Sequence, residues 1–355
     1  MIKAAIVGGT GYTGVELIRL LSAHPKVSLE LLTSRSEAGT RADSIFPSLR
    51  GVSEIIFSDL GDDTLFKLQD CDVVFFATPH GVAMKQAEAL IKAGVKVIDL
   101  AADFRLQSLS DFEHWYQQPH ACPELLKSAV YGLPEVSRDT IAQALVVGNP
   151  GCYPTTAILG LKPIINLQNA RAEQLIAKRI VIDAKSGVSG AGRQGKLSLN
   201  FAETSDNFAA YGVAGHRHLP EIEQGVNDIL ASQFDHDIRF LPHLVPMIRG
   251  MFSSIHLELT DAGTKIDWQA EFEKSYQDEF FIDVLPKGSF PDTRSVRASN
   301  RLRIAVHQDN ARADLTILVV QDNLVKGAAG QAVQNMNVMF GLDETLGLDF
   351  APIVP

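Results

Sequence analysis

A glycine-rich turn directly after the first apolar segment constrains the fold of this chain most strongly. Ile6 and Val7 end a short hydrophobic run, and Gly8, Gly11 and Gly14 follow it in a G-x-x-G-x-x-G pattern. Glycine permits a tight turn and a close backbone approach to a pyrophosphate, which the free N–H groups of the following helix can bind. A tight strand-to-helix turn without a ligand is the alternative, because a glycine motif alone is weak evidence. The position after an N-terminal strand favours a dinucleotide-binding βαβ unit.

The first 150 residues alternate short apolar runs with helical patterns. We predict five strands in this part of the chain: Ala4–Val7, Ser28–Leu32, Val73–Ala77, Val95–Leu100 and Leu145–Val147. Residues 15–22 and 82–93 have helical apolar spacing. Alternation of this kind predicts a doubly wound parallel sheet, so the predicted fold class is α/β.

From about Gly151 the pattern changes to longer runs, several of which alternate between apolar and polar residues. Alternation is typical of a mixed or antiparallel sheet, which predicted helices at 221–231 and 266–280 would cover. The predicted strands are 180–184, 252–259, 281–284, 301–308 and 314–320. A final helix is predicted at 326–340. Because 355 residues are many for a single core, two domains are expected.

Composition limits the compartment and the classes of partner. Acidic residues outnumber basic residues by 42 to 32, which argues against a nucleic-acid partner bound through bulk charge. Cys71, Cys122 and Cys152 show neither paired nor zinc-ligand spacing, so no disulfide framework is expected. No apolar stretch reaches the length of a membrane span. No cleavable signal is expected, because the N-terminus runs straight into a predicted strand. A reducing cytoplasm is the expected compartment.

The end of the second predicted strand bears on the choice of nicotinamide cofactor. An NAD site usually places an acid about 20 residues past the glycines, where it binds the ribose 2′-hydroxyl. Glu30 lies near that distance but falls within the strand, which ends at Thr33, Ser34 and Arg35. Hydroxyl groups and a guanidinium at that point suit a 2′-phosphate, so NADP is predicted.

Cys152 lies in the segment Gly148–Thr155, between the end of an apolar strand and the start of a predicted helix. Pro154 suits the first position of that helix, where a missing N–H costs nothing. A thiol at a helix N-terminus faces free N–H groups and the positive end of the dipole, which lower its pKa and favour the nucleophilic thiolate. A buried, unreactive cysteine in a loop is the alternative.

Two histidines stand close together in one short run. His216 and His218 are two residues apart, so on an extended segment both side chains point the same way. A histidine near a cysteine nucleophile fits general acid–base work, because its pKa lies near neutrality. A metal site is the alternative, but no third ligand is placed nearby in the sequence. One of the pair is expected to be structural, and His216 is favoured for that role.

Two further segments are candidates for ligand contact. Arg105 follows a predicted strand end, where it either contacts substrate or forms a surface salt pair. Ser186–Arg193 is a second glycine-rich segment, which can present amides and the Arg193 guanidinium to a phosphate. A flexible hairpin is the alternative for this second segment.

A dinucleotide domain followed by a cysteine is a specific combination, since hydride transfer plus a thiolate suggests chemistry through a thioester. The chain resembles the N-acetyl-gamma-glutamyl-phosphate reductases, a family in the aspartate-semialdehyde dehydrogenase superfamily. The matching segments follow the family's order along nearly the whole chain: Gly8–Gly14, Ala101–Arg105, Gly148–Thr155, Ser186–Arg193, His216–Glu221 and Asp322–Gly330. The resemblance implies NADPH-dependent reduction of N-acetylglutamyl 5-phosphate to the 5-semialdehyde, a step of arginine biosynthesis, with release of phosphate.

The resemblance also implies how the chain divides. Residues 1–150 would form a Rossmann-type NADP-binding domain, and residues 151–325 would form an α+β domain for catalysis and oligomerisation. Residues 326–355 would include a C-terminal helix that packs on the first domain. A homodimer or homotetramer is expected.

The family's residue roles carry over to this chain position by position. Cys152 would be the nucleophile that displaces phosphate and holds the thioester. His218, with His216 beside it, would serve the hemithioacetal oxygen as the acid–base group. Amides at the helix start, those of Cys152 and Asn149, would stabilise the oxyanion. No metal is expected.

The remaining predicted site residues fall into two groups. The predicted substrate-binding residues are Arg105, Asn149, Arg193 and Glu221. For the loop of Arg193, contact with the cofactor is the alternative. The predicted cofactor-binding residues are Gly8, Thr10, Gly11, Tyr12, Thr13, Gly14, Ser34, Arg35, Ser189, Gly190 and Asn323.

Two other functions remain open at this point. A sister enzyme with the same chemistry would act on aspartyl phosphate or on an aminoadipate derivative, because pocket shape sets the length of the substrate. A non-catalytic NADP-sensing protein would need the glycine-rich turn but not Cys152. Residues 107–128 contain Trp115, Tyr116 and Cys122, to which we assign no role.

Overall fold

The computed structural model describes residues 1–354, and at Asp62 only the backbone. The chain forms two compact units. The first unit contains residues 1–150, 192–194 and 328–349, and the second contains residues 151–191, 195–327 and 350–354. The first unit is thus assembled from three separate stretches of the chain.

A parallel sheet organises the first unit. Within the described residues its strands are β1 (Ile2–Val7), β2 (Val27–Thr33), β3 (Phe57–Ser58), β4 (Val73–Phe76), β5 (Lys96–Asp99), β6 (Val130–Tyr131) and β7 (Val146–Gly148). Their order is β3-β2-β1-β4-β5-β7-β6, and every neighbouring pair is parallel. The strand order reverses between β1 and β4, the place where a doubly wound sheet offers a crevice to a ligand. The α/β class and the five predicted strands are confirmed, whereas β3 and β6 are too short to show a hydrophobic pattern.

Helices follow most of these strands. They are α1 (Tyr12–Ser22), α2 (Ala42–Ile45), α3 (Asp62–Leu68), α4 (Ala83–Lys92), α5 (Leu109–Tyr116), α6 (Pro123–Leu126) and α7 (Pro134–Gln143). A buried apolar core joins strands β1, β4 and β5 to α4 and α5. Phe112 of α5 and Cys122, which precedes α6, both belong to this core. The segment 107–128 therefore has a packing role that the sequence did not indicate.

A mixed sheet organises the second unit. Its described strands are β8 (Ile176–Gly187), β9 (Ala209–Ala210), β10 (Asp237–Val245), β11 (Met251–Leu259), β12 (Ile282–Val284), β13 (Leu302–Asp309) and β14 (Asp314–Gln321). They lie in the order β12-β13-β14-β11-β8-β10-β9. β8 pairs in parallel with β10 and antiparallel with β11, so the predicted mixed sheet is confirmed. β10 escapes prediction because Arg239, Pro242 and His243 interrupt its apolar pattern.

The second unit also holds a long helix that packs on its sheet. The helices are α8 (Cys152–Arg171), α9 (Phe201–Thr204), α10 (Leu219–Gln224) and α11 (Trp268–Tyr276). On α8, the Thr156 hydroxyl lies 2.7 Å from the Ser253 hydroxyl of β11, and both side chains are buried. Within residues 1–354, no helix is both long enough and apolar enough to cross a membrane.

The last helix of the chain belongs to the first unit. A π-helical segment, Val325–Ala329, leads into α12 (Gly330–Met339), and every residue of α12 is buried. Polar side chains dock this helix: Gln331 Nε2 and Asn335 Nδ2 both donate to the carbonyl of Gly132, at 3.0 and 2.8 Å. The predicted return of a C-terminal helix to the first unit is confirmed, and its attachment uses buried hydrogen bonds as well as apolar packing.

Candidate active site

The turn before α8 places Cys152 at the first helical position. β7 ends at Gly148, the backbone of Gly151 is extended at φ −66° and ψ 152°, and helical geometry begins at Cys152. The predicted placement of Pro154 at the first helical position is wrong: Cys152 occupies that position, and Pro154 is the third residue of the helix. Its missing N–H is still among those of the first turn that have no partner within the helix. The thiol therefore belongs to a residue at the positive end of a helix of 20 residues.

The first turn of α10 closes on this helix start. Glu221 Oε1 accepts a hydrogen bond from the N–H of Gly151 at 2.7 Å, and Glu221 is fully buried. His218, which caps α10, lies beside the same glycine, since a Cβ on Gly151 would stand 2.6 Å from its Nε2. Cys152, His218 and Glu221, all predicted as site residues, are thus brought together around Gly151. Substrate binding by Glu221 stays a prediction, because the bond seen here is to the backbone.

The His218 imidazole leaves no room for a side chain at position 151. We expect Gly151→Ala to lower kcat by about 100-fold, because the added methyl displaces the imidazole and a 1 Å misplacement near the chemistry costs about that factor. Steady-state kinetics, with thermal unfolding measured alongside, checks this. Gly195→Ala is the matched control, because no heavy atom lies within 4 Å of a Cβ added there. A Gly151→Ala enzyme with the wild-type kcat would contradict a role for the position of His218.

His216 supports His218 from behind. Its Nδ1 accepts the backbone N–H of His218 at 3.1 Å, so the neutral ring carries its proton on Nε2. Its ring packs against Tyr153, Tyr211 and Phe240, with centroid distances of 5.9, 5.4 and 5.4 Å. Burial, helped by the neighbouring Arg217, lowers the pKa of His216 to about 4. The geometry thus favours His218 as the residue that carries the proton, and His216 as its support.

Two tyrosines that were not predicted as site residues, Tyr153 and Tyr211, line the same cluster. Tyr153, next to the cysteine, donates its hydroxyl proton to the carbonyl of His243 at 3.0 Å. Tyr211 donates to the Tyr153 hydroxyl at 3.2 Å. Burial raises the pKa of Tyr211 to about 12 and raises the pKa of Tyr153 as well, so both remain protonated at neutral pH. The two tyrosines are therefore a neutral, hydrogen-bonded pair whose rings pack against the histidines, Tyr153 against both His216 and His218 and Tyr211 against His216.

Two more neighbours of Cys152 come from the end of β14 and the segment after it. Gln321 is fully buried and its Nε2 donates to the carbonyl of Cys152 at 2.7 Å. A Cβ on Gly327 would lie 2.8 Å from the Cβ of Cys152. Gly327 belongs to the matching segment Asp322–Gly330, whereas Gln321 follows an ordinary strand pattern and carries no signal. Gln321 holds the backbone of the cysteine in place, and Gly327 leaves room for the cysteine side chain.

Arg105 is bound to backbone carbonyls within the first unit. Its Nε donates to the carbonyl of Asn149 and its Nη2 to the carbonyl of Leu100, both at 2.7 Å. Arg105 and Asn149 are both buried. Substrate contact by Arg105 stays a prediction, because the partners described here are protein groups at the peptide that leads to Cys152. The N–H of Asn149 donates to the carbonyl of Asp99 at 2.8 Å, so this amide is not available for the predicted oxyanion role.

The glycine-rich turn fits a pyrophosphate. A Cβ on Gly8, whose φ is +89°, would lie 2.6 Å from the carbonyl oxygen of Ala77, and a Cβ on Gly14 would lie 2.6 Å from the carbonyl oxygen of Gly8. These two glycines are required by packing. Gly11 is different, because its nearest neighbour would be 4.0 Å from an added Cβ. Open space beside a helix N-terminus is what a closely bound phosphate needs.

Hydroxyl groups gather where β2 ends. Ser34 follows directly after β2, and its hydroxyl lies 3.4 Å from that of Thr10 in the glycine-rich turn. Glu30 falls inside β2 and is exposed, as the sequence indicated, and Arg35 is exposed beyond the strand. Tyr12 and Thr13, the other predicted contacts, are the first two residues of α1.

Arg193, which was predicted to bind ligand from its loop, contacts the glycine-rich turn. Residues 192–194 belong to the first unit, where Arg193 Nη1 donates to the carbonyl of Thr10 at 3.0 Å. The Arg193 guanidinium also stands over the ring of Phe46, 4.9 Å from its centroid. This placement favours the cofactor alternative for Arg193 over direct substrate binding.

The remaining predicted cofactor residues cluster in the second unit. Asn323 Nδ2 donates to the Ser189 hydroxyl at 2.9 Å, and its Oδ1 accepts the N–H of Gly250 at 2.8 Å. A Cβ on Gly190 would meet the Ser186 hydroxyl at 2.8 Å. The structure therefore brings Ser189, Gly190 and Asn323 together, while their contact with a cofactor stays a prediction.

Known families and relatives match this chain over nearly its whole length. A semialdehyde dehydrogenase NAD binding domain matches residues 3–144, and a semialdehyde dehydrogenase dimerisation domain matches residues 152–323. The N-acetyl-gamma-glutamyl-phosphate reductase of Psychrobacter cryohalolentis is 81% identical over the full length of both chains, and that of Acinetobacter baylyi is 58% identical over full length. The chain belongs to the N-acetyl-gamma-glutamyl-phosphate reductase family. The predicted family is confirmed, and with it the nicotinamide cofactor.

Solved structures agree on the fold. Aspartate semialdehyde dehydrogenase II of Vibrio cholerae aligns with a TM-score of 0.71 at 18% identity, covering 96% of this chain and 98% of that one. The Candida albicans aspartate semialdehyde dehydrogenase, solved with NADP, aligns with a TM-score of 0.69 at 17% identity and the same coverage. At these identities the likeness shows the fold alone, which is that of a semialdehyde dehydrogenase.

Proposed function

We propose that the protein is an NADPH-dependent reductase that converts N-acetyl-L-glutamyl 5-phosphate to N-acetyl-L-glutamate 5-semialdehyde and phosphate. The observation that carries the proposal is the packing of the His218 imidazole on Gly151, directly before a cysteine at a helix N-terminus. The printed name of the relatives supports the identity of the substrate. A non-catalytic NADP-sensing protein would need neither the cysteine nor this histidine.

Cys152 opens the reaction as a nucleophile. Its thiolate forms a bond to the C5 acyl carbon, and the electron pair of the C5–O bond leaves with phosphate, which takes up a proton from solvent. The result is a thioester on Cys152. The positive end of α8 and the amides of its first turn stabilise the negative charge that develops on the acyl oxygen. Glu221, bonded to the N–H of Gly151, fixes the turn from which the thiolate attacks.

His218 manages the proton in the second half of the reaction. When bound, NADPH supplies the hydride that reduces the thioester carbon. His218 gives a proton to the resulting oxygen and takes it back as the carbonyl re-forms and the C–S bond breaks. Cys152 leaves as the thiolate and is ready for another cycle. His216 stays neutral throughout, because burial keeps its pKa far below neutral pH.

The preference for NADP over NAD rests on the end of β2. The hydroxyls of Thr10 and Ser34 lie together there, Arg35 follows, and no carboxylate ends the strand. We infer that these groups bind the 2′-phosphate, with the Arg193 guanidinium close by at the carbonyl of Thr10.

An assay in the oxidative direction tests substrate and cofactor together. Three substrates are compared in the presence of phosphate: N-acetylglutamate 5-semialdehyde, aspartate semialdehyde and N-acetylaminoadipate semialdehyde, each with NADP and with NAD. We expect kcat/KM to be higher for N-acetylglutamate semialdehyde by about 10-fold or more. A difference of one methylene alone is worth about 10- to 200-fold, and aspartate semialdehyde also lacks the acetyl group. Equal or greater activity on aspartate semialdehyde would overturn the substrate, and a preference for NAD would overturn the cofactor.

Two further proposals concern the assembly of the protein and its compartment. We propose a homodimer or homotetramer, since the family model that covers the second unit is described as a dimerisation domain. Exposed large apolar side chains on that unit suit contact between copies; they include Leu197, Phe201, Phe208 and Val213. A mechanism that needs a reduced thiolate at Cys152 fits the cytoplasm, where thiols stay reduced.

A further inference from the structure

Each of the four polar groups of Asn149 makes a hydrogen bond within the first unit. Its N–H donates to the carbonyl of Asp99 at 2.8 Å, and its carbonyl accepts from Arg105 Nε at 2.7 Å. Its side-chain Nδ2 donates to the carbonyl of Ala328 at 3.1 Å, and its Oδ1 accepts from Asn335 Nδ2 at 3.1 Å. Asn149 is fully buried. Turning this side chain toward a ligand would break buried hydrogen bonds that water cannot replace.

The two chain segments that Asn149 joins both lead to the nucleophile. Asn149 precedes Cys152 by three residues in the chain. Ala328, its side-chain partner, directly follows Gly327, where an added Cβ would lie 2.8 Å from the Cβ of Cys152. The bond from Asn149 to Ala328 therefore sets the spacing of two backbone segments, one that carries Cys152 and one that lies against it.

We propose that Asn149 is a positioning residue for Cys152, held in place by Asn335 of α12, and that it does not contact the substrate. The proposal rests on the proposed function, because kcat and KM are measured for that reaction. Its first readout, alkylation of the Cys152 thiol in the free enzyme, needs neither substrate nor cofactor. The two proposals can therefore fail separately.

The experiment compares Asn149→Ala, Asn335→Ala and Asn337→Ala. Asn335→Ala removes the partner of Asn149 Oδ1 but leaves Asn149 itself in place. Asn337 is the matched control, because it is an equally buried asparagine two residues further along α12. Its Nδ2 donates to the carbonyls of Glu344 and Leu346, at 3.2 and 2.9 Å, and so it has other partners than Asn149.

The rate of iodoacetamide alkylation at Cys152, followed by peptide mass spectrometry, is measured beside kcat, KM and the thermal midpoint. We expect Asn149→Ala to slow alkylation about 10-fold and to lower kcat by about 10- to 100-fold, with KM for phosphate and semialdehyde within about twofold. Asn335→Ala should show the same pattern at smaller size. Asn337→Ala should lower the thermal midpoint like Asn335→Ala, yet alkylate and turn over at the wild-type rate.

Two results would overturn the proposal. If Asn149→Ala raises KM for phosphate or semialdehyde while alkylation stays at the wild-type rate, Asn149 contacts substrate directly. If Asn337→Ala slows alkylation and turnover as much as Asn335→Ala, the effect is a general loosening of α12. Should Asn149→Ala not fold, the comparison of Asn335→Ala with Asn337→Ala decides the matter.

Discussion

Cys152→Ser is expected to lower kcat/KM by about 10⁴-fold or more, while the Kd for NADP stays within about twofold. The helix dipole lowers the pKa of a thiol into the working range, but it leaves a hydroxyl, with its far higher pKa, protonated and a poor nucleophile. Turnover with N-acetylglutamate semialdehyde, phosphate and NADP measures the first quantity. Quenching of protein fluorescence on titration with NADP measures the second.

The other two cysteines provide the control for that variant. Burial raises the pKa of Cys71 to about 11 and that of Cys122 to about 12, so neither forms a thiolate near neutral pH. Cys71→Ser should therefore retain wild-type turnover. Unchanged turnover in Cys152→Ser would rule out the thioester mechanism, whereas lost NADP binding in the same variant would point to a disturbed fold.

His218→Asn is expected to lower kcat by about 10²- to 10⁴-fold, the usual contribution of a general acid–base group. In the reductive direction the protonated imidazole is needed, so the wild-type rate should fall as pH rises through the pKa of His218. In the oxidative direction the neutral imidazole takes the proton of the hemithioacetal as the hydride leaves, so where this step limits kcat the rate should fall as pH drops through the same pKa. The variant should lose both limbs. The pH dependence of kcat in each direction measures this.

His216→Asn separates the two histidines. An asparagine Oδ1 can accept the N–H of the residue two positions on, the bond that His216 Nδ1 makes to His218. Because burial lowers the pKa of His216 to about 4, that residue is neutral above this pH and contributes no limb between pH 5 and 8. The variant should keep the wild-type pH profile. A profile that loses its limb in His216→Asn, but keeps it in His218→Asn, would assign the proton to His216.

Sequence was sufficient where the signal is local. The helix that begins at Cys152 follows from an apolar strand, Pro154 and an apolar continuation within a few residues. Gly8 and Gly14 announce the tight turn because only glycine can be fitted there. Alternation of apolar runs is likewise a property of short segments, and it predicted the parallel sheet and most of the mixed one.

Sequence was insufficient where residues far apart in the chain meet. Glu221 binds the N–H of Gly151 across 70 positions, and Gln321 reaches the carbonyl of Cys152 across 169. Asn149 illustrates the converse, because a polar residue beside a nucleophile suggests substrate contact until its partners are known. Asn335 is 186 positions away from it and carries no motif of its own. Such pairs depend on the packing of whole elements, which no local pattern encodes.

The order of synthesis gives the three-part first unit a particular difficulty. Its main stretch ends at residue 150 and its last begins at residue 328, so at about 5 to 20 residues per second a ribosome needs roughly 10 to 40 s to bridge them. Throughout that interval the carbonyl of Gly132 and the surface that α12 will cover face water. A nascent chain in this state leaves that surface accessible to chaperones or to other chains. The nucleotide-binding unit, first to be translated, is among the last to be completed.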